Sequence, residues 1–147
     1  MSILTIDPPV DPPSEPPGES AIDSWAPRWQ ILIVEDSADD AELIRLALLH
    51  AGIEADCHFA DSELQVLQAL ATFAPQLVLS DMNMPGFSGT RAFELVHAHA
   101  PDARFVFLSG APLDDATALQ LGPAADAWLL KDDLAQLPAL VRRLLAG

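Results

Sequence analysis

Basic residues are scarce in this chain. Seven Lys and Arg stand against 22 Asp and Glu, giving a formal charge of −15 and a sequence pI of about 4.2. Such a surface excludes nucleic acid and membrane insertion through anionic headgroups, since both need basic patches. Long apolar runs are missing too. Nothing approaches the roughly 18 residues of a membrane span, and the N-terminus lacks the basic start and apolar core of a signal peptide. The single cysteine, Cys57, cannot close an internal disulfide and reads as a small core residue of a strand. A cytoplasmic location is the expectation. No glycine-rich phosphate loop or GxSxG elbow occurs. His50, His58, His97 and His99 show no metal-ligand spacing, and Met82 and Met84 read as loop packing.

Proline is abundant, but it is concentrated. Six of the ten residues from Pro8 to Pro17 are proline, and Asp7, Asp11, Glu15, Glu19 and Asp23 recur every four residues. Proline blocks helix and central strand, and repeated like charge opposes collapse. Residues 1–28 are therefore expected to be an acidic, Pro-rich disordered tail. A proline-rich ligand for an aromatic groove is the functional alternative to a solubilising leader.

From Gln30 onward strand-like and helix-like segments alternate. Ile31-Leu32-Ile33-Val34 is followed by a helical pattern over Ala38–His50, with Ala41, Ile44, Leu48 and Leu49 apolar and Ser37 as its start signal. A weaker strand at Ala55–Phe59 precedes an amphipathic segment over Ser62–Phe73 that carries Leu64, Leu67 and Leu70. The run Leu77-Val78-Leu79-Ser80-Asp81 comes next, then a Pro/Gly-rich turn and a helix over Gly89–His99. Arg104–Leu108 is the fourth strand, and Pro112 opens a helix to about Leu121. Ala127–Leu130 is the fifth strand, and Leu134–Leu145 the closing helix. Five strand–helix pairs demand an α/β domain with a doubly wound parallel sheet, helices on both faces and right-handed crossovers.

Four of the five strands end in polar residues: Glu35-Asp36, Asp81, Ser109 and Lys131. In a parallel sheet these ends share one edge, where ligand chemistry collects. Adjacent carboxylates repel one another, and a hard cation such as Mg²⁺ relieves that repulsion. Lys131, the chain's one lysine, is a compact charge suited to a phosphoryl oxygen, and the Ser109 hydroxyl can donate to the same anion. Nucleophile, metal and donors are the parts phosphoryl transfer requires.

Taken in order, these residues resemble the receiver domain of bacterial two-component response regulators. The resemblance rests on Ile31–Ser37, on Asp81-Met82-Asn83-Met84-Pro85 with Gly89, on Leu108-Ser109-Gly110 and on Trp128–Lys131. It covers residues 29–147 as the domain and implies a flavodoxin-like fold with strand order 2-1-3-4-5. It implies that Asp81 accepts a phosphoryl group from a sensor histidine kinase or a histidine phosphotransfer protein. It also implies Mg²⁺ on Glu35, Asp36, Asp81 and the Asn83 backbone carbonyl, and Lys131 and Ser109 on the acyl phosphate. Ser109 and Trp128 would then switch partner binding through the face of the fourth helix, fifth strand and fifth helix. The chain ends just after the last helix, so a stand-alone regulator with an unknown downstream protein is expected, and a homodimer is compatible. No turnover of external substrates is expected. Two alternatives come from other classes: a Mg²⁺-dependent phosphohydrolase with an aspartate nucleophile, and an assembly module indifferent to phosphorylation.

Two positions depart from the family pattern. Trp128 stands where tyrosine or phenylalanine is usual, so a restricted switch is expected. Asp132 stands where proline follows the lysine through a cis bond, so a trans Lys131–Asp132 bond is expected; a non-proline cis bond costs about 2.5–4 kcal/mol. Asp132 and Asp133 are also candidate caps for the closing helix.

Overall fold

The computed structural model describes residues 28–84, 86–110 and 125–146. Apart from Arg28, the expected tail at 1–28 lies outside them, as does the helix expected from Pro112.

The five apolar runs form one parallel sheet of β1 (Trp29–Val34), β2 (Ala55–Ala60), β3 (Leu77–Asp81), β4 (Arg104–Ser109) and β5 (Ala127–Leu130). Their order across the sheet is 2-1-3-4-5, with β2 and β5 at the edges. Successive side chains of a strand point to opposite faces, and here both faces are covered. Leu32, Val34, Val78, Phe105 and Phe107 point to one side, under α2 (Glu63–Thr72) and α3 (Gly89–His99). Ile31, Ile33, Leu77, Leu79, Val106 and Leu108 point to the other, under α1 (Ala38–His50) and α4 (Leu137–Ala146). That is why β1, β3 and β4 read as unbroken apolar runs rather than alternating ones. Fully burying each such side chain contributes about 1.5–3 kcal/mol, so the central strands are the stable floor beneath the loops. This is the expected doubly wound fold.

Serine starts each of the first three helices. The hydroxyls of Ser37, Ser62 and Ser88 accept from the N–H groups of Asp40, Gln65 and Arg91, each satisfying a donor that the first turn leaves orphaned.

Three local expectations shift. Leu49 and Leu64 are exposed, at 55% and 64%. The buried stripe of α1 is Ala41, Ile44 and Leu48, and one further residue rotates Leu49 about 100° away from the sheet. In α2 the fully buried residue is Val66, with Leu67 and Leu70 packed partly under it. The closing helix starts at Leu137 rather than Leu134, after a 3₁₀ segment over Lys131–Gln136. Pro138 lacks the N–H that would bond the Leu134 carbonyl in a longer α-helix, and Leu137 N–H bonds that carbonyl instead. Asp132 and Asp133 supply negative charge at the start of the 3₁₀ segment, but no side chain caps it. No cis peptide bond occurs among the described residues, so Lys131–Asp132 is trans.

Candidate functional site

Register brings the polar strand ends together. Val34 pairs with Ser80, so Glu35 follows β1 level with Asp81 at the end of β3. Asp81 pairs with Leu108, one residue before Ser109, and Ser109 pairs with Leu130, one residue before Lys131. All the expected strand-end residues thus sit on the C-terminal edge of the sheet.

Oxygens of Glu35, Asp36 and Asp81 lie within 4.8 Å of one another. Asp36 is exposed, whereas Glu35 and Asp81 are buried, at 5% and 6%. The Lys131 ammonium reaches over this group, 2.8 Å from Glu35 Oε1 and 3.3 Å from Asp81 Oδ2. It also donates a hydrogen bond to a fourth carboxylate, Asp40 Oδ2, at 2.9 Å. Glu35 Oε1 is buried against the Lys131 ammonium, while Oε2 accepts from Ser37 N–H at 3.2 Å.

Four carboxylates around one ammonium leave the site under-neutralised. Burial pushes the Glu35 carboxyl up from 4.5 to about 7. The nearby Lys131 and the Ser37 N–H oppose that rise, and the negative charge of Asp81 adds to it. Burial alone would lower the Lys131 ammonium, but the oxygens of Glu35 and Asp40 and the charge of Asp81 raise it well above its ordinary value. Lys131 therefore stays cationic at any physiological pH.

The loop after Asp81 is held by two glycines. Asn83–Met84 and Phe87–Ser88 form a short antiparallel pair, and Gly86, at φ +71°, turns between them in the left-handed region. Gly89 opens α3 with its N–H on the Met82 carbonyl at 2.9 Å. A Cβ there would lie 2.5 Å from the Asp81 carbonyl oxygen and 3.1 Å from the Phe107 ring. Only glycine lets α3 begin this close to the candidate nucleophile. The backbone of Asn83 lies in this loop, two residues beyond Asp81.

Ser109 is buried at the end of β4. Trp128 is half-buried on β5, and its ring stacks on Phe107 with centroids 4.9 Å apart and 26° between planes. Phe107 in turn meets Phe105 edge-on at 4.8 Å. The indole is thus packed along the sheet beside the aromatic ring that touches the Gly89 turn.

Asp40 was legible in the sequence only as part of a helix start. Its four-residue spacing from Asp36 is a weak signal, because it leaves open which way the helix is rotated. Phe107 was legible as core, with no sign that Trp128 would stack on it.

A hard divalent cation fits these residues. The ligand set is all oxygen, and three carboxylates, two of them buried, bring their oxygens within 4.8 Å of one another. No helix among the described residues is long and apolar enough to cross a membrane.

Residues 31–142 match the response regulator receiver domain family. Among curated proteins, an uncharacterised 76.5 kDa protein of Thiocystis violacea is 32% identical over 72 residues, 49% of this chain. The chain spans about a tenth of that relative's length. Among solved structures, a response regulator from Thermotoga maritima superposes with a TM-score of 0.71 at 19% identity, covering 82% of this chain and 99% of that one. The response regulator TrrA of the same organism, solved in complex with Mg(2+)-BeF, gives 0.67 at 25% identity over 80% of this chain and 99% of that one.

Proposed function

Since the chain belongs to the response regulator receiver domain family, we propose that it is a phosphoacceptor that takes a phosphoryl group on Asp81 and passes the signal by changing partner binding. The observation that carries this reading is the placement of Lys131 Nζ 3.3 Å from Asp81 Oδ2, above the Glu35–Asp36–Asp81 carboxylates.

An oxygen of Asp81 attacks the phosphorus of a phosphohistidine donor. The new P–O bond forms as the P–N bond breaks, and the imidazole leaves with the electron pair of that bond. When bound, Mg²⁺ would supply charge neutralisation to the transferring group, held by Glu35, Asp36, Asp81 and the Asn83 carbonyl. Lys131 stays protonated and donates to a phosphoryl oxygen; the Ser109 hydroxyl donates to another. Asp81 is nine-tenths buried beneath them, which limits access of water to the acyl phosphate. The Ser109 movement is read by Trp128, whose stack on Phe107 restrains it, through the face that includes β5 and α4. A sensor histidine kinase or histidine phosphotransfer protein is the donor, in the cytoplasm, and the chain turns over no external substrate.

Incubation with acetyl phosphate tests this by intact mass. One phosphoryl group should be added in the presence of Mg²⁺, none with chelator, and none to Asp81→Asn. Labelling that survives Asp81→Asn, or that needs no divalent cation, refutes the assignment. Continuous release of phosphate from phosphomonoesters would favour a hydrolase instead.

A further inference from the structure

The Lys131 ammonium has three N–H donors, and three carboxylates meet it from three parts of the fold. They are not equivalent. Glu35 and Asp81 belong to the carboxylate triad that suits a cation, and Asp40 does not. The ammonium donates to Asp40 Oδ2 at 2.9 Å and lies 2.8 Å from Glu35 Oε1, and of these two short contacts only the one to Asp40 lies outside the cation triad. The backbone of Asp40 is fixed in the first turn of α1, where its N–H donates to the Ser37 hydroxyl at 3.2 Å.

We infer that Asp40 is the positioning residue for Lys131, holding the ammonium over Asp81 while a cation and a phosphoryl group claim the other two carboxylates. The inference rests on Asp81 being the phosphoacceptor. Once Asp81 carries an acyl phosphate, the oxygen bonded to phosphorus no longer offers a full charge. A cation on the triad likewise draws the charge of Glu35 away from the lysine. Asp40 alone keeps its charge and its place through both events. It occupies one N–H and leaves two for phosphoryl oxygens. Without it, a long four-carbon side chain has no fixed partner and spreads over many rotamers. Asp40 acts through Lys131 and touches neither donor nor metal.

The full chain is titrated with Mg²⁺ alone and with Mg²⁺ plus beryllofluoride, and its labelling rate with acetyl phosphate is measured. The same measurements are made on Asp40→Ala, Asp40→Asn, Asp40→Glu, Lys131→Ala and the double variant Asp40→Ala with Lys131→Ala. Mg²⁺ affinity of the Asp40 variants should stay within about twofold of wild type, since Asp40 is no ligand. Beryllofluoride affinity and labelling rate should fall about tenfold, the low end of what loss of an orienting partner costs, with Asp40→Glu restoring part. In the Lys131→Ala background, removing Asp40 should cost nothing further, an outcome that a merely structural role for Asp40 does not give. Asp40→Ala and Asp40→Asn labelling at the wild-type rate or faster, or an equal loss without Lys131, overturns the inference. If wild type labels and depends on Lys131 but not on Asp40, this inference alone fails; if wild type takes no label, the Asp81 reading fails with it.

Discussion

Glu35 offers a test that needs no phosphodonor. Its side chain is 1% exposed and sits among three other carboxylates and one shared ammonium. Burial raises its pKa from 4.5 to about 7, so the folded state binds the proton more tightly than the unfolded chain. The stability this group contributes is therefore fully present below about pH 4.5 and is lost as pH rises through about 7. At about 1.4 kcal/mol per tenfold change in proton affinity, the whole loss is about 3 kcal/mol. Glu35→Gln removes the titration while keeping the shape. The variant's stability relative to wild type should improve by up to about 3 kcal/mol between pH 4.5 and 7.5 in chelator, with other titrating groups cancelling in the difference. Urea denaturation at four pH values across that window measures it. Mg²⁺ should reverse the trend at pH 8, since binding to the folded state alone stabilises wild type by about 2.7 kcal/mol at a hundredfold excess over Kd. Glu35→Gln, lacking a ligand charge, should gain much less. A pH-independent difference between the two proteins would show that burial does not hold the Glu35 proton.

Four further outcomes follow from contacts around the same edge. Gly89→Ala should destabilise by about 2 kcal/mol or more, the range of overpacking against a rigid neighbour, because its Cβ would meet the Asp81 carbonyl at 2.5 Å; chemical denaturation reads this, and wild-type stability would refute it. Phe107→Ala should cost about 3–5 kcal/mol as a fully buried ring lost, and should alter Trp128 emission through loss of the 4.9 Å stack when Trp25 and Trp29 are replaced by Phe. In that same single-Trp background, Mg²⁺ with beryllofluoride should shift Trp128 emission only slightly; a full move to a solvent-like or fully buried spectrum would show the switch to be unrestricted. Arg91→Ala should leave the urea denaturation midpoint unchanged, since its pairs with Glu63 and Glu94 are largely exposed.

The sequence by itself determined the five strands, the two-sided burial that orders them and the polar residues at their ends. These are local and periodic properties: an apolar run ending in Asp81 or Lys131 carries its own boundary, and parallel connections leave one edge for all such ends. The helix limits at Ala38–His50 and Gly89–His99 were legible for the same reason. Only the tertiary structure decided how the charges are shared. Asp40 and Lys131 are 91 residues apart, and whether they meet depends on how α1 is rotated over the sheet, which its sequence period leaves open. The same rotation turns Leu49 to solvent. The raised Glu35 pKa is likewise a property of assembly, because the burial that causes it arises only when the strands and helices pack together.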